Sequence, residues 1–190
     1  MKPESDPDVQ LMLAVQRDDR TAFEALFRKY APAITGFTRS FVGSQARAEE
    51  LAQETFVQLY RARRSYKPRA RFATWLYRIA TNLCLSDLRR PEHRAVVPNP
   101  SPTGDEPNTV EYLADPGART GEEDVVLRES LDRLRDGLDH LPAQQRAAIL
   151  LARAEGLSYE DVARTLGCSV SAVKSLIHRA TVTLREKVGD

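Results

Sequence analysis

Apolar residues recur along this chain at helical rather than alternating intervals. Leu51, Phe56 and Leu59 form one such set, Leu76, Ile79, Ala80 and Leu83 a second, and Leu131, Leu134 and Leu138 a third. Spacings of three and four residues place side chains on one side of a helix, whereas a strand needs every second residue. The pattern predicts helices over about 7–17, 21–42 with a bend near Pro32, 45–64 and 72–90, and it offers no convincing strand. The punctuation agrees. Thr21 and Ser158 each stand three residues before an acid, Glu24 and Asp161, the spacing at which a hydroxyl and a carboxylate cap a helix start reciprocally.

The helical pattern stops at Pro91. Between there and Gly121 stand Pro98, Pro100, Pro102, Pro107 and Pro116, with Gly104 and Gly117 among them. Proline lacks the N–H that a helix needs, and the stretch is too polar to make a core. Helical spacing resumes near Val125 and runs, with breaks at Pro142 and Gly156, to about Val188. The expected fold is all-α: two small helical domains, residues 1–94 and 125–190, joined by a flexible acidic Pro-rich linker at 95–124.

Charge sharpens that division. The net charge is only +1 over 190 residues, which excludes a uniformly basic coat for nucleic acid. Yet residues 61–94 carry ten basic side chains against Asp87 and Glu92, while residues 95–124 carry seven acids against Arg119 alone. Blocks of opposite sign imply separate jobs along the chain. Cys84 and Cys168 have no Cys or His at metal-ligand spacing, so neither a zinc site, nor a disulfide, nor any cofactor is expected, and a reducing cytoplasm fits. The first ten residues lack an apolar signal core and no apolar run approaches ~18 residues. A cytoplasmic chain without membrane insertion is the expectation.

From Tyr159 to Leu176 the spacing is that of a helix-turn-helix. Val162 and Leu166 point inward, Ala163 is small where two helices cross, Gly167 permits a left-handed turn, and Ser169 can cap the second helix. On that second helix Val173, Leu176, Ile177 and Ala180 form the buried stripe. Ser171, Lys174, Ser175 and His178 fall opposite, with Arg179 beside them. Those groups can donate to guanine and phosphate oxygens in a major groove. A lone helix with such a face is usually just solvated; the Gly turn and the small crossing residue tilt the balance towards duplex DNA.

The N-terminal half holds two further faces. Glu50, Gln53, Glu54 and Gln58 lie away from the apolar side of their helix, either as a solvated face or as a dock for a basic partner helix. Then comes a basic loop with Lys67, Arg69 and Arg71, followed by a helix carrying Phe72, Trp75, Tyr77, Arg78, Asn82 and Arg89. Aromatic rings beside cations suit single-stranded nucleic acid, because bases stack on rings while guanidinium groups hold phosphates. Phe72 and Trp75 are equally suited to a core, whereas an amide such as Asn82 on a basic face adds nothing to packing.

The array Phe-x-x-Trp-Leu-Tyr-Arg-Ile-Ala-x-Asn from Phe72 to Asn82, preceded by Ala-Gln-Glu-Thr-Phe from Ala52 to Phe56, resembles region two of bacterial extracytoplasmic-function sigma factors. Gly156 to Ala163 together with Val173 to Ala180 resembles their region four, and the likeness covers nearly the whole chain in the right order. The resemblance implies core RNA polymerase as partner, through the beta-prime clamp helices and the beta subunit, with Glu50, Gln53, Glu54 and Gln58 in the clamp contact. It implies promoter DNA as the second partner. Lys67, Arg69, Arg71, Phe72, Trp75, Arg78 and Asn82 would recognise and hold open the minus-ten element. Ser171, Lys174, Ser175, His178 and Arg179 would lie in the groove of the minus-thirty-five element. An anti-sigma factor is implied as well, and no catalytic residue. The chain departs from the family pattern at Leu176, where relatives carry a second basic residue. It departs again at Ala152, where they carry Arg, although Arg153 follows it.

Two other classes bear comparison. A stand-alone helix-turn-helix regulator would bind a palindrome without polymerase, and the aromatic-basic block would then have no obvious use. An enzyme acting on nucleic acid needs a zinc set, a phosphate-cradling Gly loop or a paired nucleophile and base, and none is visible.

Overall fold

The computed structural model describes residues 5–90, 133–154 and 156–188. Within them the chain forms helices α1 (Pro7–Gln16), α2 (Arg20–Val42), α3 (Gln45–Ala62) and α4 (Phe72–Leu88), with a 3-10 turn at Arg63–Ser65 between the last two. Helical residues 133–139 lead into α5 (Ala143–Arg153), α6 (Tyr159–Leu166) and α7 (Val170–Val188). No strand occurs among the described residues. The linker at 95–124 and the expected helical start near Val125 lie outside them.

Most helix starts have a local cause. The side chains of Asp6, Asp19 and Ser44 accept first-turn N–H groups of α1, α2 and α3, satisfying donors that have no partner inside the helix. The expected cap at Thr21 shifts upstream. Asp19 accepts from the N–H groups of Thr21 and Ala22, and also takes the Thr21 hydroxyl as a donor, so α2 begins at Arg20. Helix α4 differs: its N-cap position is Arg71, which has no side-chain oxygen to offer, and no local side chain caps it.

The helix-turn-helix forms as the sequence implies. Ser158 and Asp161 make the capping box of α6 in both directions. Gly167 takes a left-handed φ of 66°, which a Cβ would disfavour, and the Cys168 N–H returns to the Ala163 carbonyl at 3.0 Å. Ser169 Oγ then accepts the Ala172 N–H at 3.1 Å and starts α7.

Val9, Met12, Leu26, Ile34, Phe41, Leu59, Phe72 and Leu76 fill the N-terminal core. That apolar cluster does not end at the half's boundary; it continues through Ala147 and Leu151 of α5, Val162 and Ala163 of α6, and Val173 of α7. Polar contacts reinforce the seam. The buried Thr74 hydroxyl of α4 donates to Asp161 Oδ1 at 2.8 Å, and Arg71 donates to the Gly156 carbonyl. Arg146 of α5, itself buried, donates to the Phe41 carbonyl at 2.6 Å and pairs with Asp139 at 3.0 Å. The last carbonyls of a helix lack partners and carry its negative end, so this guanidinium caps α2 from the other half of the chain.

Candidate nucleic-acid and polymerase interfaces

The residues that the sequence singles out fall on three faces, exposed to different degrees. On α7, Ser171, Lys174, Ser175, His178 and Arg179 are all exposed, while Val173 and Ala180 are fully buried beneath them. The helix braces part of this face itself: Ser175 Oγ donates to the Ser171 carbonyl at 3.1 Å, and Arg179 Nε donates to the Ser175 carbonyl at 3.3 Å. Lys174 and His178 project from the same side. Leu176 and Ile177 are half-buried, so the stripe expected beneath the face is looser at its middle than at Val173 and Ala180.

Around α4 the picture is mixed. Lys67, Arg69, Arg78 and Asn82 are exposed, and so is Arg89. Arg71 is half-buried, with one arm on the Gly156 carbonyl. Trp75 is half-buried, its ring 4.7 Å from Tyr66 and 6.2 Å from Phe72 between centroids. Phe72 differs from the expectation of a base-contacting ring. It is 0% exposed and packs against Tyr30 at 5.2 Å, so here its ring belongs to the core rather than to the surface. The cause is its place at the first turn of α4, directly over α2, and the aromatic left towards solvent is Trp75.

On α3, Glu50 and Gln53 are exposed while Glu54 and Gln58 are half-buried. The acidic stripe is already engaged from within. Arg47 bridges Glu50 to the buried Asp87 of α4, with its Nε 3.0 Å from Asp87, and these two hydrogen-bonded carboxylates push its pKa up further. Glu54 accepts from Gln58 at 3.3 Å and lies 3.7 Å from Arg61. The stripe runs on into apolar surface. Val57 and Tyr60, four and seven residues past Gln53, are exposed, and with Phe23, Phe27 and Phe56 they line a groove between α2 and α3. Sequence reasoning passed over this groove, although Val57 and Tyr60 at helical spacing from Gln53 were a signal for it.

Burial has different outcomes at Asp161 and Cys84. Burial raises the pKa of Asp161, but hydrogen bonds from Ser158 and Thr74 and the charge of Arg164 outweigh it, so the carboxyl lies below its ordinary value. Burial pushes the Cys84 thiol up to about 12, which leaves it protonated and inert. No cluster of metal-ligating side chains occurs among the described residues, and none of their helices is long and apolar enough to cross a membrane.

Known proteins resemble the chain across both halves. The Sigma-70 region 2 family model matches residues 26–94, and the Sigma-70, region 4 model matches residues 131–184. The RNA polymerase sigma-H factor of Pseudomonas aeruginosa is 35% identical over 178 residues, covering 91% of this chain and 89% of that protein. The ECF RNA polymerase sigma-E factor of Haemophilus influenzae is 32% identical over 186 residues, 95% of each. Among solved structures, the sigma factor RpoE of Bartonella quintana, in complex with the anti-sigma factor NepR, superposes with a TM-score of 0.64. It is 26% identical, over 87% of this chain and 96% of that one. CnrH in complex with the cytosolic domain of CnrY shares the fold, with a TM-score of 0.69 at 24% identity over 95% and 96% of the two chains.

Proposed function

The chain belongs to the extracytoplasmic-function sigma factors of RNA polymerase, and from that membership we propose how its surfaces divide the work of transcription initiation. Residues 1–94 act as the region-two domain, 95–124 as the linker and 125–190 as the region-four domain. The α3 stripe of Glu50, Gln53, Glu54 and Gln58 docks on the beta-prime clamp helices of core polymerase, extended by the apolar groove at Val57 and Tyr60. Lys67, Arg69, Arg71, Trp75, Arg78 and Asn82 take the minus-ten element, its bases drawn from the stack towards the ring and its phosphates held by the cations. Ser171, Lys174, Ser175, His178 and Arg179 enter the major groove at the minus-thirty-five element, with α7 as the recognition helix. The protein works in the cytoplasm as an initiation factor, the polymerase supplies the chemistry, and an anti-sigma factor holds it in check, as NepR is complexed with the Bartonella quintana protein.

One observation carries this reading: two exposed cationic faces, one with an aromatic ring and one on a helix-turn-helix, lie on the separate halves that match regions two and four. It also has a geometric consequence. Elements two helical turns apart are ~70 Å apart along DNA, yet α4 and α6 touch through Thr74 and Asp161. The halves must therefore part for both faces to be used together. A thirty-residue linker spans about 30 Å when relaxed and about 100 Å when extended, so it permits the separation without enforcing it. Polymerase, by gripping each half, supplies the force.

Footprinting of holoenzyme on a promoter tests the assignment. Lys174→Ala with Arg179→Ala is expected to erase upstream protection while core binding persists; Arg69→Ala with Asn82→Ala is expected to erase downstream strand opening. Equal loss at both elements from either pair would overturn the division. Strong sequence-specific binding by the free protein would favour the stand-alone regulator.

A further inference from the structure

The basic loop that ends in α4 is held at both ends by one helix, and α1 is that helix. Gln16, its last residue, uses its side-chain amide to donate to two carbonyls at the loop's beginning, Arg64 and Tyr66, at 3.1 Å each. Asp6, the residue before its first turn, accepts the Phe72 N–H at the loop's far end at 3.1 Å through Oδ2. Its other oxygen, Oδ1, accepts the Asp8 N–H and caps α1 itself, also at 3.1 Å. One carboxylate, only 5% exposed, thus sits at the N-termini of two helices, and it supplies the cap that Arg71 does not. Asp6 and Gln16 are about 15 Å apart along α1.

Helix α1 is itself fixed. Val9, Met12 and Val15 are fully buried, and Asp8 takes Lys29 at 2.7 Å and the Tyr30 hydroxyl at 2.6 Å from α2. What it holds is the part of the loop that bears on nucleic acid. Tyr66, whose carbonyl Gln16 engages, is 5% exposed and carries its ring beneath Trp75; Phe72, whose N–H Asp6 engages, opens the first turn of α4, which ends at Trp75 and is followed by Arg78 on the next. Lys67, Arg69 and Arg71 lie between the two fixed points.

We propose that α1 is a strut for the minus-ten reader, and that Asp6 and Gln16 are positioning residues which set the register of Lys67–Arg71 and Trp75 without touching DNA. The inference rests on the reading that this loop and α4 take the minus-ten element. It goes beyond that reading by giving a role to a helix whose apolar side chains pack on the core and whose sequence carries no nucleic-acid signal. A helix end without its cap frays by a turn, and a turn is the distance from Phe72 to Trp75. A loop released at its start lets the Tyr66 ring leave Trp75.

Two isosteric substitutions isolate the contacts. Asp6→Asn keeps one acceptor for α1 and turns a donor towards the Phe72 N–H; Gln16→Glu turns an oxygen towards two carbonyls that need a donor. The measurement is open-complex formation by holoenzyme on a promoter mapped by run-off transcription, with its matched and its substituted minus-ten element. The ratio of the two reports positioning, because a loss of folded protein lowers both alike. Asp6→Asn is expected to reduce that ratio roughly fivefold, the worth of one such hydrogen bond, and Gln16→Glu, which loses two, by at least as much. Core affinity and the corresponding ratio for the minus-thirty-five element are expected to stay unchanged. An unchanged minus-ten ratio in both variants overturns the strut, as does a parallel fall in all three quantities or a failure of both proteins to fold. If only Asp6→Asn fails to fold, Gln16→Glu decides. Lys67→Ala with Arg69→Ala serves as the control: if that pair leaves the ratio untouched, the loop is not the reader, and the strut falls with it for that separate reason.

Discussion

Asp161 shows how much one carboxylate can carry. Its Oδ2 accepts from the Ser158 N–H and hydroxyl and its Oδ1 from Thr74, so it closes the capping box of α6 and joins that helix to α4. Asp161→Asn keeps one acceptor and is expected to lower stability by about 1–2 kcal/mol at neutral pH. The sign of its pH dependence follows from the lowered folded pKa. The contribution is complete above the unfolded value near 3.8 and fades as pH falls through the folded one. Urea midpoints of both proteins from pH 7 to 3 check this: the gap is expected to hold steady above about pH 5 and to close in acid. A gap independent of pH would contradict it. At this scale legibility depends on sequence distance. The Ser158–Asp161 box, the left-handed Gly167 and the Ser169 cap are local patterns and were readable. Asp6 and Arg146 find their partners 66 and 105 residues away, so no window of sequence could announce them.

Helices were the most legible level. The periodicity placed α1 to α4 within two residues at every end, because each combines a continuous apolar stripe with a local stop or start. Which side of a helix faces a partner was harder. Phe72 and Trp75, one turn apart, divide between core and half-exposed surface, and only the position of α2 decides between them. On α3 the acidic stripe was visible, but its pairing with Arg47 and Arg61 was not. That pairing makes a specific expectation for the polymerase contact. A basic partner helix docked there as proposed would compete with Arg61 for Glu54, so Glu54→Lys both removes the attraction and leaves two cations facing a third. Core affinity, measured by titrating labelled protein with polymerase, is expected to fall about tenfold, with a weaker dependence on salt than the wild type. An unchanged affinity would remove Glu54 from the dock.

At the scale of the whole molecule, the sequence divides the chain where the prolines begin, and the structure joins the halves through a shared core. Nothing periodic marks that seam, since Ala147, Leu151 and Val162 look like ordinary buried positions of their own domain. The joined form covers Thr74 and engages Arg71, one of the residues proposed for the minus-ten element. Fluorescent dyes at Ala46 and Glu186, both exposed, are expected to report close approach in the free protein and separation on addition of core polymerase. Arg146→Ala with Thr74→Val is expected to shift the free protein towards the separated state, because it removes the guanidinium from the end of α2 and the hydroxyl from Asp161. Transfer that stays high in the complex would mean that the halves do not part.

The most direct measurement is run-off transcription of genomic fragments by core polymerase with and without the protein. New start sites are expected only in its presence, each preceded by two shared elements about two helical turns apart. The absence of any start that depends on the protein, under conditions where it binds core polymerase, would contradict the account.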